Sequence, residues 1–359
     1  MKFRLIAAVC AALLTSAVVP ARTATLDEIA RMPAAEREAA LVEGARREGK
    51  VMIYSAMIED QALRPMMAAF RAKYPFIDAQ FLRVDTRELI NRTLAEVRAR
   101  AVTVDVVEGG SISPALTRAG VVQPFHLPIL ASIPQDVYDP KGMWAATRLS
   151  YFGLAYNTKL VRADEAPRTY EDLLDPKWSG KMAWAAASET GGAIMFLTAL
   201  RKTMGEEKGE AFIRKLADQK IINATGSARE IVNKTMAGEF SISLGIFLHH
   251  PIISAQKGAP VAPLPLEPVY ENASVMLLLK QAPHPHAAIL LMDFLMSKKG
   301  QEVIRDAEYF PSDPQVETSK ALDPIIPAKA GLKHIFLSED ELFAGRVKSL
   351  DLQKKLFQN

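Results

Sequence analysis

Apolar and polar residues along this chain follow two rhythms, one of helices and one of short buried strands, and the two take turns. Leu26, Ile29, Met32, Leu41 and Val42 recur among Ala, Glu and Arg, which predicts a helix over 26–50 closed by Gly49. Val51-Met-Ile-Tyr-Ser-Ala is a continuous apolar run ending in small residues, the pattern of a buried strand entering a loop. Leu63, Met66, Met67, Phe70 and Tyr74 form a helical stripe that Pro75 stops. A second strand is predicted over 78–84, then a Thr-capped helix over 86–100 carrying Leu89, Ile90, Leu94 and Val97. A third buried strand over 102–107 runs into Gly109-Gly110-Ser111, and a short helix follows from Pro114 to Gly120. Strand-then-helix units in succession predict a parallel sheet with right-handed crossovers. In such sheets ligands gather at the carboxyl ends of the strands. Here those ends hold Tyr54, Ser55 and Ala56, and Gly109, Gly110 and Ser111; each also fits an ordinary tight turn.

A second unit begins near Tyr151. Residues 149–156 read as a strand ending at Asn157-Thr158, followed by a short helix at Tyr170–Leu174 and a turn-rich Asp-Pro-Lys-Trp-Ser-Gly loop. A strand over 182–185 leads to Ser188-Glu-Thr-Gly-Gly-Ala193, which opens a long helix to about Met204. Helices over 208–219 and 228–237, the latter closed by Gly238, precede a strand over 241–245 and a Phe247-Leu-His-His-Pro loop. A strand over 269–280 and helices over 286–297 and 299–307 complete the pattern; the tail after Pro311 is Pro-interrupted and then mildly helical. No internal repeat or low-complexity tract is present.

The first residues stand apart from this rhythm. Lys2 and Arg4 precede an apolar run from Leu5 to Val19 with no acidic residue, and Pro20-Ala21 follow. That is the layout of a secretory signal over 1–21, with cleavage as late as 24, and the run of about fifteen residues is shorter than a membrane span. Cys10, the single cysteine, lies inside it after only five apolar residues and does not match a lipid-attachment signal. The exported chain then has no disulfide, thiol nucleophile or thiolate metal site, and its stability rests on core burial. The remaining length exceeds one comfortable core and favours two lobes. With 44 basic against 41 acidic residues and no run of like charge, nothing marks a nucleic-acid surface, and nothing marks a chain embedded in the membrane.

Several phrases occur in a fixed order: Gly49-Lys-Val-Met-Ile-Tyr-Ser, Phe70-Arg-Ala-Lys-Tyr-Pro, Val104-Asp-Val-Val-Glu-Gly-Gly, Leu154-Ala-Tyr-Asn-Thr-Lys-Leu, Leu174-Asp-Pro-Lys-Trp-Ser-Gly-Lys and Phe294-Leu-Met-Ser-Lys-Lys-Gly-Gln-Glu. Over about residues 46–330 the chain resembles the extracellular solute-binding proteins of ABC importers, in the branch that contains periplasmic ferric-ion-binding proteins. The resemblance implies an α/β, two-lobed type II periplasmic binding fold, each lobe a mixed sheet flanked by helices, with a ligand cleft between the lobes. Chain crossings are expected near Leu149–Gly153 and across the Pro-rich 262–269. Lobe one is then 25–150 with 266–310, and lobe two is 151–265 with 311–359. The implied partners are a small solute and a membrane permease, the protein itself acting as a monomer.

Iron-binding members of that branch use an adjacent tyrosine pair, which falls here on Leu248 and His249. Ferric iron prefers phenolate and carboxylate oxygen, so this departure argues against it. Neighbouring histidines on an extended segment would face opposite ways, leaving His249 as a hydrogen-bonding or packing residue. The mouth of the Ala193 helix is the stronger signal. Early helical N–H groups lack partners and favour negative charge, and the resemblance implies an anion held by Ser188, Thr190, Gly191 and Gly192; an ordinary N-cap fits the same residues. Arg148 at the first crossing and Arg229 at a helix start would add bidentate donors. Tyr54, Tyr151 and Tyr270 lie near strand ends, where stacking on a ligand and core packing are both open.

The sequence thus points to a periplasmic component that captures a small anionic organic solute (a phosphonate, phosphate ester or carboxylate) by lobe closure. A metal-binding protein using a synergistic anion, a polyamine or thiamine binder and a secreted hydrolase are the alternatives. Neither Gly-x-Ser-x-Gly nor His-Glu-x-x-His occurs. No catalytic residue, metal or cofactor is expected.

Overall fold

The structure is a computed structural model that describes residues 24–186 and 192–357. Two helices open it, the single-turn α1 (Leu26–Ile29) and the 15-residue α2 (Ala34–Glu48), where the sequence pattern predicts one. Pro33 makes the break: it has no N–H to donate, and its ring disfavours helix in the residue before it. Gly49 ends α2 at φ 66°, as the pattern requires.

β1 (Lys50–Ser55), α3 (Arg64–Lys73), β2 (Asp78–Arg83), α4 (Thr86–Ala99), β3 (Val106–Gly110) and α5 (Ser113–Arg118) follow the predicted alternation. Asp85, rather than Thr86, caps α4, accepting the Glu88 N–H at 2.9 Å. β4 (Val122–Gln123) is a short edge piece, and β5 (Ala145–Asn157) is a single 13-residue strand. Beyond it come β6 (Met182–Ala185), α6 (Gly192–Met204), α7 (Glu206–Ala217), β7 (Ile222–Ala224), α8 (Ala228–Ala237) and β8 (Ile242–Phe247). α9 (His249–Ala255) replaces the expected loop. Pro251 is the reason that segment reads as a loop, yet it is the third residue of α9, within the first turn, where a missing N–H costs nothing. β9 (Val261–Leu264), β10 (Val269–Leu279), α10 (Pro285–Met296), α11 (Lys298–Asp306), β11 (Phe310–Pro311), α12 (Pro327–Ala330), β12 (His334–Phe336) and α13 (Glu339–Phe357) complete the chain.

The strands form one mixed sheet in the order β2-β1-β3-β10-β5-β8-β6-β7. The predicted parallel run exists as β2-β1-β3, but β10 enters antiparallel between β3 and β5. β5 and β10 are the long members. Along one edge β5 pairs first with β10 and then with β9; along the other it pairs first with β11 and then with β8. The Pro-rich stretch therefore supplies β9 and the turn into β10.

Burial follows the same division. One core cluster runs from Ile29 to Ala146 and resumes from Ala273 to Tyr309. A second holds Phe152 to Tyr270 and takes Leu337, Leu342, Leu352 and Phe357 from the end of the chain. A smaller third one joins Tyr151, Ile246 and Leu248 to Phe310 and Leu322. β5 and β10 pass from the first cluster into the other two.

The start of α6 is fixed against β8 by a backbone contact that only glycine allows. A Cβ on Gly192 would sit 2.2 Å from the Gly245 carbonyl oxygen, and one on Gly245 would sit 2.3 Å from that of Gly192. Gly245 also has φ +63°. Gly245→Ala is expected to cost more than about 2 kcal/mol in urea unfolding, through both strain and clash. Gly258→Ala, at φ +81° with nothing within 4 Å, is expected to cost only about 1 kcal/mol. Equal losses would show that the α6–β8 approach is not rigid.

Candidate functional site

Between the cores, β1, β3, β5, α8, the β8–α9 junction and the segment before β11 bring charged and aromatic side chains together. Glu108, central in β3, is fully buried. Its Oε2 accepts the Ser55 hydroxyl at 2.6 Å; its Oε1 accepts Thr147 at 2.9 Å and the Arg148 guanidinium. A carboxylate removed from water needs this full set of donors, because Coulombic attraction alone rarely repays the desolvation. Arg148 comes from β5 and is itself buried, so its charge is largely cancelled by Glu108.

The guanidinium carbon of Arg148 lies 4.9 Å from the centroid of the Tyr309 ring. The Tyr309 hydroxyl accepts the Ile58 N–H at 3.3 Å. Its ring meets the imidazole of His249 edge-on at 5.3 Å, and His249 meets His250 at 4.5 Å. Phe247 stands 5.6 Å from His249 and 5.4 Å from His250. Opposite them, Arg229 of α8 donates from Nη1 to the His250 carbonyl at 3.1 Å.

Electrostatics set the protonation states. Burial holds the His249 imidazole well below its ordinary range, and the positive field of His250, Arg148 and Arg229 adds to that. His250 is driven down to about 3, again chiefly by burial, with Arg229 second. Both rings are therefore neutral near pH 7. Both ring nitrogens of His249, and Nδ1 of His250, find no hydrogen-bond partner among the described residues. Desolvation lowers the Arg229 guanidinium, and it forms no ion pair among the described residues. Among the described residues the junction thus carries one cation without a counter-ion, beside two neutral rings with unused donor and acceptor capacity. Among the described residues it shows no nucleophile–base pair.

The sequence-predicted residues divide into three groups. Arg148, Arg229 and His249 meet at this junction. Tyr54 is buried toward α4, its hydroxyl engaged with Glu96 at 2.6 Å, Thr103 at 3.0 Å and Arg92 at 3.2 Å. Ser55 is bound to Glu108, and Gly110 pairs with Ser274 in the sheet. Ser111, at φ 58°, donates its N–H to Glu339. Tyr270 stacks on Tyr170 at 5.8 Å in the second core, and Tyr151 packs on Phe310 at 4.7 Å. Gly192 opens α6 against Gly245; Ser188, Thr190 and Gly191 lie outside the described residues. The histidines differ from expectation in one respect: they open a helix rather than an extended segment, so their rings touch instead of diverging. Leu248, at the other position of the aligned pair, points into the third core. Among the described residues, no group of three or more His, Cys, Asp or Glu side chains is placed to hold a metal ion.

Glu108, Tyr309 and Glu339 escaped the sequence reading. A carboxylate inside the apolar Val-Asp-Val-Val-Glu strand is a signal that it needs a buried cation; Tyr309 and Glu339 carry no local signal.

Comparison with known proteins gives the class. The family described as bacterial extracellular solute-binding protein matches residues 105–335. The chain belongs to this family, the periplasmic solute-binding components of ABC importers, which hand small ligands to a membrane permease. A Haemophilus influenzae protein described as uncharacterized is 25% identical over 271 residues, 72% of this chain and 76% of its own length. A putative 2-aminoethylphosphonate-binding periplasmic protein of Salmonella typhimurium is 23% identical over 200 residues. That match takes in 52% of this chain and 55% of the relative, so the chain spans about half of it. Among solved structures, AfuA from Actinobacillus pleuropneumoniae with fructose-6-phosphate bound superposes with a TM-score of 0.71 at 23% identity. It covers 86% of this chain and 98% of its own. Iron-bound HitA from Pseudomonas aeruginosa superposes with a TM-score of 0.71 at 21% identity, covering 86% and 99%. These likenesses show the two-lobed type II periplasmic binding fold. No helix among the described residues is long and apolar enough to cross a membrane.

Two measurements check the electrostatics. Glu108→Ala leaves Arg148 buried without its partner and is expected to cost about 3–5 kcal/mol in urea unfolding; a loss below about 1 kcal/mol would mean that water already solvates the pair. For the histidines, the folded pKa lies below the unfolded value. Above pH 6.5 neither state is protonated and the rings add no pH dependence. As pH falls below that, the unfolded chain takes up protons the folded one refuses, and stability drops by about 1 kcal/mol per pH unit for each ring. Calorimetric melting at about pH 7 and about pH 5 should show a smaller drop for His250→Gln than for the wild type. Identical drops would place His250 in contact with water.

Proposed function

We propose that this protein captures a small anionic organic solute, of the phosphonate, phosphate ester or carboxylate class, and encloses it between its lobes for delivery to the permease. The reading rests on one observation: among the described residues Arg229 has no counter-ion beside the buried, neutral His249 and His250, and both ring nitrogens of His249 and Nδ1 of His250 have no partner. An anion there gains a charge-assisted hydrogen bond from Arg229 and neutral hydrogen bonds from the imidazoles. Gly192, with the adjoining Ser188, Thr190 and Gly191, would complete the anion's shell from the mouth of α6. Binding then needs only preorganised donors and closure that removes water.

Relatives support both an organic anion and iron. The Salmonella protein is named for an aminophosphonate and the AfuA structure holds a sugar phosphate, whereas HitA holds iron. The donor set favours the organic anion, because Leu248 and His249 stand where the iron-binding branch has a tyrosine pair. In this reading lobe one is 25–150 with 266–310, lobe two is 151–265 with 311–359, and the protein works as a monomer; the separate core clusters support the division.

The test is a melting screen of the purified protein with aminoalkylphosphonates, sugar phosphates, small carboxylates, polyamines, thiamine and ferric salt. A ligand at about 100 times its Kd stabilises the folded state by about 2.7 kcal/mol, and an upward shift in Tm is expected with anions. Arg229→Ala should weaken the responding anion by roughly 10- to 100-fold in titration calorimetry. Stabilisation by polyamines alone, or a tyrosinate absorption band on adding ferric ion, would overturn the assignment.

A further inference from the structure

One contact between the lobes joins the last helix to the turn after β3. α13 is anchored on lobe two. Leu342, Leu352 and Phe357 lie in the second core, and the Phe357 ring meets Trp184 at 4.7 Å. Ser349 bonds Thr198 at 2.8 Å, and Arg201 donates to Ser349 at 3.0 Å and to the Gly345 carbonyl at 3.2 Å. Lys348 reaches Glu206 at 2.8 Å. The helix lies so close to α6 that a Cβ on Gly345 would stand 2.4 Å from the Thr198 methyl.

The first turn of the same helix reaches the other lobe. Glu339 is buried, and its carboxylate rests on the turn between β3 and α5. Oε1 accepts the Ser111 N–H and Oε2 the Ser113 N–H at 3.1 Å, with the Ile112 amide adding a third bond. One turn later the Phe343 ring lies 4.2 Å from the Arg118 guanidinium of α5, with Arg346 of its own helix at 3.8 Å. Ser111 holds a left-handed conformation that costs a non-glycine residue energy, and it is in this conformation that its N–H meets the carboxylate. Burial pushes the Glu339 carboxyl up to about 7 against the pull of those amides. Ser111 and Phe343, with Met195 and Thr198 of α6, line one narrow crevice where the helix bridges the gap.

We propose that α13 is a strap that holds the two lobes closed in the absence of solute, with Glu339 as an internal carboxylate bound to the β3–α5 turn of lobe one. The turn that the sequence marks as a ligand position is thus satisfied by the protein's own side chain. Opening requires the Glu339 carboxylate to leave three amides and the Arg118–Phe343 contact to part, while the lobe-two side of the helix stays in place. The strap stands on the two-lobed fold and does not depend on which solute binds.

The experiment measures lobe separation without ligand. Spin labels on Arg98→Cys in α4 and Lys208→Cys in α7, both exposed, in a chain carrying Cys10→Ser, report the distance between lobes by pulsed electron resonance. The otherwise wild-type chain is expected to give one short-distance population. Glu339→Gln removes the charge and faces an amide donor toward the turn, and should raise the open-to-closed ratio roughly 10-fold or more. Phe343→Ala should move it in the same direction by a smaller factor, and Lys348→Ala, which touches only lobe two, should leave it unchanged. Far-ultraviolet dichroism at wild-type strength establishes that each variant is folded. An unchanged distance in both Glu339→Gln and Phe343→Ala, or an equal shift with Lys348→Ala, would overturn the strap.

Discussion

Antiparallel pairing of β5 with β10 is the constraint on which the rest of the molecule depends. Both strands run through the junction between the cores, their backbone groups satisfied on either side by neighbours that change along the way. A ladder of this kind resists sliding and tolerates bending. The register slips twice: between Ser274 and Val275 of β10, and between Gly153 and Leu154 of β5. Bulges are where strands bend and twist most, and these two bracket the passage from one core to the other. In the proposed lobe division, relative motion of the lobes would turn on the residues around Arg148–Gly153 and their partners. The proposed solute junction and the Glu108 ion pair sit at or beside that pivot, where small rotations would move side chains on opposite lobes toward or away from each other.

Charge at the pivot is arranged asymmetrically. Arg148 is matched by Glu108, with Ser55 and Thr147 filling the remaining acceptor sites of the carboxylate. Burying such a pair contributes little net stability, and removing either partner costs several kcal/mol. Its effect is on charge: among the described residues it leaves Arg229 as the cation without a carboxylate at the junction. Had Arg148 been free as well, the site would favour dianions or would need counter-ions from solvent. Neutral His249 and His250 then add directional donors and acceptors without adding charge.

Much of this architecture was legible in the residue pattern, for identifiable reasons. Glycine stops at Gly49 and Gly238 and the strand–helix rhythm of 50–118 are local signals, and local structure obeyed them. The misreadings have local causes too. β5 looked short because Thr147, Arg148 and Ser150 interrupt its apolar run; they are polar because the strand crosses from one interior to another. α9 looked like a loop because Pro251 is usually a breaker, and it sits in the one turn that accepts it. At the site, Arg148, Arg229 and His249 were visible because charged or imidazole groups occur beside predicted element ends. Tyr309 and Glu339 were not, because their partners lie 251 and 228 residues away and no local pattern encodes that separation.

The donors found by sequence reasoning differ in how much capacity remains to them, and this orders the binding events. On lobe one, Ser55 is held by Glu108 and the Ser111 turn by Glu339, so carboxylates of the protein already occupy the positions a solute anion would seek. On lobe two, Arg229 and the paired histidines keep unused capacity. In the proposed reading an incoming anion meets lobe two first, and lobe one contributes mainly by closing over it and excluding water. The strap makes that closure inexpensive, since a protein whose closed form is already populated loses less apparent affinity to rearrangement. The same preference carries a penalty at entry, because a closed resting state admits solute only during brief openings. Affinity and capture rate thus pull on Glu339 in opposite directions.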